Sequence, residues 1–221
     1  MSSVPESFRL EEARAVQRRL AQRVVERPLG EVDVVAAVDV AYEGDLAFSA
    51  AVAYSMREGR VLAAARSINK ALFPYVPTLL SFRELMPMVR ALLKLPAKYD
   101  VVMVDGQGKA HPYRLGIASH LGVVLDVASI GVAKSKLYGE VVGDKLIDPK
   151  DGEVIGAVVR CKKPLYVSVG HKATLEDAAS LVKSLCTDSA MPLPILLAHN
   201  EANRAKRIKP KAFDKWGEAY E

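Results

Sequence analysis

Cysteines and long apolar runs are scarce in this sequence. Its 221 residues include only two cysteines, Cys161 and Cys186, with no C-x-x-C pair and no metal-ligand spacing near either. We therefore expect neither a disulfide framework nor a zinc site, and we expect a reducing compartment. No uncharged apolar run reaches the ~18 residues of a membrane span, and the N-terminal residues are charged, which predicts a cytoplasmic protein outside any membrane.

Excess charge of either sign is also small. The chain has 31 Lys and Arg against 26 Asp and Glu, a formal net charge of +5, which permits a polyanionic partner without requiring one. Half of the residues are hydrophobic (50%), so a chain of this length can bury a core without cross-links. We expect one domain over residues 1–221 and a monomer, with a partly ordered tail from about residue 209.

What the sequence does contain is a change of pattern along its length. A helix that ends before Pro28 is predicted by apolar residues at helical spacing, which are Leu10, Ala13, Val16, Leu20 and Val24. Arginines fill positions between them and are placed on a solvated face, namely Arg14, Arg18, Arg19 and Arg23. Three strand-like runs then predict an antiparallel meander, and later alternation predicts β-α-β crossovers, a hairpin, a helix capped by Thr174 and a last helix. Together they predict an α/β fold with a mixed sheet flanked by helices.

A stiff loop precedes one of the predicted helices. Pro74 and Pro77 hold the stretch FPYVP in extended geometry, because proline fixes φ and disfavours helix at the residue before it. Tyr75 is thereby presented on a rigid mount. The following Ser81-x-x-Glu84 has the spacing of a capping box, which predicts a helix over about residues 81–95.

Two aspartates stand where apolar strands end. Asp39 lies near the end of VDVVAAVDV and Asp105 ends VVMVD, directly before Gly-Gln-Gly. Each alone reads as an ordinary strand-end group, but carboxylates at the carboxyl ends of central strands meet where α/β sheets place their sites. With Glu84 they would form an all-oxygen cluster of the kind that Mg²⁺ or Mn²⁺ prefers. These residues predict metal-assisted phosphodiester hydrolysis.

The histidines and one lysine leave alternatives open. His111 follows the second aspartate, where a loop hydrogen bond and a site role are equally expected. His120 on an apolar helix predicts a core histidine, and His171 is expected to serve the turn before the capped helix. His199 shares a helix with basic residues, which is typical of a solvated face, and Lys134 is either a phosphate ligand or a surface lysine.

Four segments occur in an order that resembles a known family: VAAVDVAY, FPYVPTLLSFRE, VVMVDGQGKAHPYRLGIASHLGVVLD and SIGVAKSKLYG. Over about residues 10–208 the chain resembles endonuclease V, the deaminated-base repair nuclease with a ribonuclease H-like fold, and the P-Y-x-P and S-F-R-E block is highly specific. The resemblance implies a metal-dependent active site of Asp39, Glu84 and Asp105, with Mg²⁺ as cofactor and Mn²⁺ as a substitute. His199 falls where some members have histidine and others aspartate near the metals, which implies a catalytic role.

The resemblance also implies how the substrate is held. Tyr75 matches a wedge that fills the gap when a deaminated nucleotide, chiefly inosine, is turned out of the helix. His111 matches a histidine beside the base pocket and Lys134 a phosphate-binding lysine. The implied nucleic-acid-binding residues are Pro74, Tyr75, Val76, Pro77, Thr78, Leu80, His111 and Lys134.

The implied reaction cuts one nucleotide further to the 3′ side of the lesion and leaves a 3′ hydroxyl and a 5′ phosphate. The implied partner is DNA containing deaminated bases, with RNA left open because animal relatives favour inosine in RNA. Most members have glycine where this chain has Thr78, which puts the base preference in question. Two alternatives remain: another ribonuclease H-like nuclease, which the Tyr75 loop argues against, and a non-catalytic lesion-binding module, which the complete carboxylate set argues against.

Overall fold

The computed structural model describes residues 8–208, 210–215 and 217–220. Five helices lie in this part of the chain: α1 (Leu10–Ala21), α2 (Leu80–Leu93), α3 (Ile117–Leu125), α4 (Leu175–Ser184) and α5 (Leu193–Ala205). Its strands are β1 (Val34–Glu43), β2 (Leu46–Ser55), β3 (Arg60–Lys70), β4 (Val101–Asp105), β5 (Ser129–Ala133), β6 (Glu140–Val142), β7 (Lys145–Ile147), β8 (Val154–Arg160), β9 (Pro164–His171), β10 (Ala212–Phe213) and β11 (Ala219–Tyr220).

Nine strands form one mixed sheet in the order β3-β2-β1-β4-β5-β9-β8-β7-β6. The strands β1, β4 and β5 at its centre are parallel, and the remaining neighbours are antiparallel. The predicted meander is β1 to β3, the predicted crossover is β4-α3-β5, and the predicted hairpin is β8-β9. The mixed α/β sheet expected from the sequence is therefore confirmed.

Helices cover both faces of this sheet. Successive residues of a strand point to opposite faces, so alternate residues of the central strands pack against different helices. Val35 and Ala37 of β1 pack with α4 and α5, whereas Ala36 and Val38 pack with α2 and α3. The near-continuous valine and alanine runs of the central strands follow from burial on both sides.

The strand register brings the two strand-end aspartates side by side. Val38 of β1 pairs with Val104 of β4, so Asp39 and Asp105 are the next residues along two adjacent parallel strands. β5 lies on the other side of β4, with Val132 opposite Asp105, and it leads directly into Lys134. The predicted convergence at this edge of the sheet is confirmed.

The expected capping box is wrong. α2 begins at Leu80, one residue before Ser81, and its N-terminus has no side-chain cap. Ser81 is thus inside the first turn, where its hydroxyl lies 3.1 Å from Nδ1 of His120, and Glu84 is buried. Thr174, by contrast, caps α4 as predicted, because its hydroxyl accepts a hydrogen bond from the Asp177 amide at 3.1 Å.

The face that α1 buries also differs from the prediction. Arg14 and Gln17 are buried, whereas the apolar Leu10 and Val16 are 42% and 47% exposed. The helical spacing was read correctly, but the surface beneath α1 consists of loop carbonyls. Polar side chains, and not the apolar stripe, satisfy those carbonyls.

The sequence indicated no disulfide framework and left the redox state of the two cysteines open, and the structure joins them in a disulfide. Cys161 lies in the turn between β8 and β9, Cys186 follows α4, and the two are joined with a Cα–Cα distance of 5.4 Å. A separation of 25 residues does not reveal that the fold brings this turn against the end of α4. The reducing compartment inferred from unpaired cysteines loses that support.

The described part of the C-terminal tail forms a short hairpin, β10-β11, beside β3. The Glu218 carboxylate in this hairpin lies 2.7 Å from Lys94 Nζ and 3.4 Å from Arg90 Nε of α2. Across the described ranges, no helix combines the length and the apolar character needed to cross a membrane.

Candidate active site and base pocket

Three potential metal ligands converge where the central strands end. Ligand atoms of Asp39, Asp105 and His199 all lie within 4.8 Å of one another. Asp39 comes from β1 and Asp105 from β4, while α5 crosses the sheet and brings His199 over them. His199 is half-exposed and its Nδ1 lies 2.7 Å from Asp39 Oδ2, so its side chain faces the aspartates.

Glu84 of α2 lies near these aspartates, although its oxygens are not among the ligand atoms that lie within 4.8 Å of one another. Burial, followed by the charges of Asp39 and Asp105, raises the pKa of Glu84 to about 8. Burial and the Asp39 charge also raise the pKa of Asp105. Glu84 and Asp105, whose pKa values are raised by burial and by neighbouring carboxylate charge, suit a divalent cation, because a bound positive charge offsets this repulsion.

Lys134 supplies a positive charge at the edge of this cluster. It follows β5, is half-exposed, and donates from Nζ to Asp105 Oδ2 at 3.1 Å. Its charge opposes the upward shift of the Asp105 pKa. Lys134 is thus accessible and lies beside Asp105, and its role as a phosphate ligand stays a prediction.

A pocket of about 370 Å³ opens directly beside the carboxylates. Its walls come from the proline loop, the start of α2, the segments around Gln107 and Leu115, and the chain after β5. Its lining includes Tyr75, Thr78, Leu80, Asp105, Gln107, His111, Leu115 and Lys134. Asp105 and Lys134 thus belong both to the carboxylate cluster and to the pocket.

Tyr75 stands at the rim of this pocket with 62% of its surface exposed. Of its neighbours in the loop, Pro74 is buried, Val76 is half-buried and Pro77 is exposed. An exposed aromatic ring on a proline-fixed loop contributes little to the core and is free to stack on a base. Leu80, partly exposed, adds an apolar surface next to it.

Thr78 has a left-handed backbone conformation, with φ at +68°. Glycine adopts this conformation freely, whereas a β-branched residue adopts it at a cost of roughly 1–2 kcal/mol. The glycine that the family resemblance leads one to expect here therefore has a backbone reason. In this chain the Thr78 hydroxyl donates to the Pro77 carbonyl at 2.5 Å.

Two residues of α1 hold this part of the loop. Gln17 donates from Nε2 to the Thr78 carbonyl at 2.9 Å, and Arg14 donates from Nη2 to the Pro77 carbonyl at 3.2 Å. Neither residue was expected at the site, because Arg14 was predicted on a solvated helix face and no role was predicted for Gln17. Their spacing of three residues, which places them on one side of a helix, was the available signal.

The histidines of the pocket side have distinct roles. His111 is buried, accepts from the Tyr113 amide at 3.1 Å, and lines the pocket. Burial lowers the pKa of His111 to about 4, against the effect of its hydrogen bond with the Thr78 backbone, so the ring is neutral near pH 7. His111 thus combines the two roles that the sequence left open, a loop hydrogen bond and a place in the pocket wall.

His120 and His171 lie away from the cluster. His120 is buried against Ser81 and the ring of Phe82, which confirms the predicted core histidine. His171 was expected to serve the turn before α4, and that expectation is wrong. Its Nδ1 accepts from the Val25 amide at 3.1 Å, because the end of β9 faces the segment that follows α1.

Two further side chains at the site were missed. Asn203, one turn after His199 on α5, places Nδ2 3.2 Å from His199 Nε2 and so restrains the ring. Gln107 donates to the Ser135 carbonyl at 2.9 Å, and within the described residues its buried Oε1 has no hydrogen-bond partner. The spacing of His199 and Asn203 by four residues was a readable signal, whereas nothing in the sequence around Gln107 indicated its position.

Comparisons with known proteins agree with this geometry. The Endonuclease V family model matches residues 18–200. The Endonuclease V of Thermus thermophilus is 44% identical over 216 residues, covering 91% of this chain and 95% of that protein. The crystal structure of Endonuclease V from Streptomyces avermitilis superposes with a TM-score of 0.83 at 34% identity, covering 92% of this chain and 96% of that one. Endonuclease V of Ciona intestinalis, solved in complex with a 24mer DNA containing an inosine followed by a ribo-adenosine, superposes with a TM-score of 0.80 at 29% identity, covering 90% and 98%.

Proposed function

This chain belongs to the Endonuclease V family, and on that premise we propose that it cleaves DNA at deaminated bases, chiefly inosine. As a member it is an endonuclease that hydrolyses phosphodiester bonds. The bond cut is the one a nucleotide further to the 3′ side of the lesion, and the products carry a 3′ hydroxyl and a 5′ phosphate. In this proposal the protein acts as a monomer.

In this proposal Asp39, Asp105 and Glu84 hold Mg²⁺, and Mn²⁺ can replace it. Oxygen ligands of this kind suit both ions, and the crowding of the three carboxylates supports the assignment. When bound, the ion supplies activation of the attacking water and neutralises charge on the phosphate.

The chain's own residues position the phosphate and the ligands. Lys134, accessible beside Asp105, binds the phosphate next to the extruded nucleotide. His199 holds the Asp39 carboxylate in one orientation, and Asn203 holds the ring of His199. These restraints fix the carboxylates before substrate arrives, which reduces the reorganisation needed during the reaction.

The pocket receives the deaminated base. An extruded nucleotide leaves an unstacked step in the helix, and the exposed ring of Tyr75 fills it. The backbone around Thr78, His111 and Gln107 then surrounds the base. Because the loop is stiffened by its prolines, little conformational entropy is lost when it engages DNA.

One observation carries the proposal: Asp105 and Lys134 face the carboxylate cluster and the base pocket at once. A base held in the pocket therefore lies within a nucleotide or so of the hydrolytic site. Matched oligonucleotides with and without inosine, incubated in magnesium or in EDTA, test it. Cleavage only with inosine and magnesium supports the proposal. Equal cleavage of the oligonucleotides with and without inosine indicates a different nuclease, and binding without cleavage indicates a lesion-binding module. Inosine placed in single-stranded DNA, duplex DNA and RNA identifies the preferred substrate.

A further inference from the structure

We propose that Arg14 and Gln17 of α1 are positioning residues for the base pocket, and that they act by holding Thr78 in its left-handed conformation. The inference rests on the proposed function in that the pocket is taken to receive the deaminated base. It adds that the shape of this pocket depends on a helix outside both the carboxylate cluster and the wedge loop.

Gln17 uses every hydrogen-bonding group of its amide. Its Nε2 donates to the Thr78 carbonyl at 2.9 Å and to the Leu115 carbonyl at 3.2 Å, and its Oε1 accepts from Arg14 Nη1 at 2.9 Å. The side chain is fully buried, so these bonds have no competition from water. Thr78 and Leu115 both line the pocket, and Gln17 therefore ties two of its walls together.

Arg14 adds contacts to the proline loop and to the segment around Tyr113. Its Nη2 donates to the Pro77 carbonyl at 3.2 Å, and its guanidinium carbon lies 4.3 Å from the centre of the Tyr113 ring. Tyr113 in turn donates its amide to the His111 ring, which lines the pocket together with Thr78. Arg14 thus contacts the Pro77 carbonyl of the loop and the Tyr113 ring at the same time.

The strained backbone of Thr78 needs such restraint. A β-branched residue at φ +68° persists only where surrounding groups over-determine its conformation. The Thr78 carbonyl accepts hydrogen bonds from Gln17 at 2.9 Å and from Arg14 at 3.4 Å. If these donors are removed, the backbone can relax toward negative φ, which moves the pocket wall and the Tyr75 mount three residues before it.

The effect is expected in binding and not in the chemical step. The carboxylates lie on β1, β4 and α2, and the residues of α1 contact none of them in the hydrogen bonds described above. A loop that is no longer held must be ordered when the base binds, and this ordering weakens affinity. Losing a hydrogen bond at this loop corresponds to roughly a tenfold rise in KM, with kcat at saturating DNA unchanged within about twofold.

The test is Gln17→Met in two backgrounds, with Thr78 and with Thr78→Gly. Glycine adopts the left-handed conformation without strain, so the rise in KM caused by Gln17→Met should fall from roughly tenfold to below about threefold when residue 78 is glycine. Gln22→Met, the same substitution at the exposed end of α1, is the matched control and should leave KM unchanged. Arg14→Lys, which keeps one donor, should have a smaller effect than Gln17→Met and serves if Gln17→Met fails to fold.

A second readout does not depend on cleavage. Hydrogen exchange of the peptide spanning residues 73–80 should be faster in Gln17→Met than in wild type or Gln22→Met, and the difference should shrink with Thr78→Gly. An equal rise in KM in both backgrounds, a fall in kcat at unchanged KM, or unchanged exchange of this peptide would overturn the inference. Failure of wild type to cut inosine-containing DNA would instead refute the proposed function, and the exchange experiment would still test the role of α1.

Discussion

Nδ1 of His199 lies 2.7 Å from Oδ2 of Asp39, although the two residues are 160 positions apart in the chain. Asp39 ends the buried part of a central strand, and α5 crosses the sheet so that His199 closes the site from above. The contact turns a histidine of a basic helix toward the aspartates, and we propose that it orients the Asp39 carboxylate.

The first prediction follows from this contact. His199→Ala should lower kcat by about 10–100-fold and raise the magnesium concentration needed for half-maximal rate, since groups that orient metal ligands have effects of this size. His199→Asp should recover most of the activity, because it returns an oxygen at the same place. Magnesium titrations of the cleavage rate measure both, and equal magnesium requirements for wild type and His199→Ala would contradict the assignment. Asn203→Ala removes only the contact that restrains the His199 ring, so its kcat should lie between those of wild type and His199→Ala.

The second prediction concerns the wedge. Tyr75→Ala removes a ring worth roughly 1–3 kcal/mol of stacking, so inosine affinity should weaken by up to about a hundredfold. Cleavage should recover in part at high enzyme, and the defect should be smaller when the inosine is already unpaired. Because Tyr75 is 62% exposed, the melting temperature should change by less than about 2 °C. A large melting shift with unchanged affinity per folded molecule would place the ring in the loop's own packing and refute the wedge.

The third prediction uses the strained backbone of Thr78. Thr78→Gly relieves roughly 1–2 kcal/mol of strain but adds about 0.5–1 kcal/mol of unfolded-state entropy, so stability should rise slightly or stay level. Thr78→Ala keeps a Cβ and should not gain this stability. Thermal unfolding of the three proteins compares them, and relative cleavage rates on hypoxanthine, xanthine and uracil report the pocket. Lower stability of the glycine variant would contradict the backbone strain at residue 78. Unchanged base preference would show that the Thr78 side chain does not shape the pocket.

The fourth prediction concerns the disulfide. Joining Cys161 to Cys186 closes a loop of about 25 residues, which corresponds to roughly 2–4 kcal/mol of stability. Cys186→Ser should therefore lower the melting temperature by about 5–10 °C, with cleavage at 25 °C retained. Adding reductant to wild type should reproduce the shift and should have no effect on the variant. A wild-type melting temperature that is insensitive to reductant would show that the bridge is absent in solution.

The sequence was sufficient for the sheet and for the carboxylates. Asp39 and Asp105 end parallel strands, and such ends meet by the geometry of the sheet itself, so local patterns already determine their convergence. Glu84 could be placed nearby through the S-F-R-E motif, although Ser81 does not cap the helix and the N-cap position is Leu79, two residues earlier. These features depend on short-range patterns that a single chain displays openly.

What the sequence did not reveal depends on packing between distant elements. The docking of α5 turns His199 inward, and the docking of α1 on loop carbonyls buries Arg14 and Gln17 in place of apolar residues. The pairing of Cys161 with Cys186 likewise requires a hairpin turn to meet the end of α4. In each case the deciding partner lies far away in sequence, so the local pattern alone does not identify it.

Cleavage and binding by Asp105→Asn test the central claim most directly. The substitution keeps the shape of the side chain but removes a charge from a site that must hold a dication, so we predict that cleavage of inosine-containing DNA in magnesium falls by at least about a hundredfold. Inosine affinity, measured in calcium, should stay within about threefold of wild type, because the pocket and Tyr75 are intact. Asp100→Asn, the same substitution before the start of β4, is the control and should retain cleavage. Near-normal turnover by Asp105→Asn would contradict a metal-dependent endonuclease built on this carboxylate cluster.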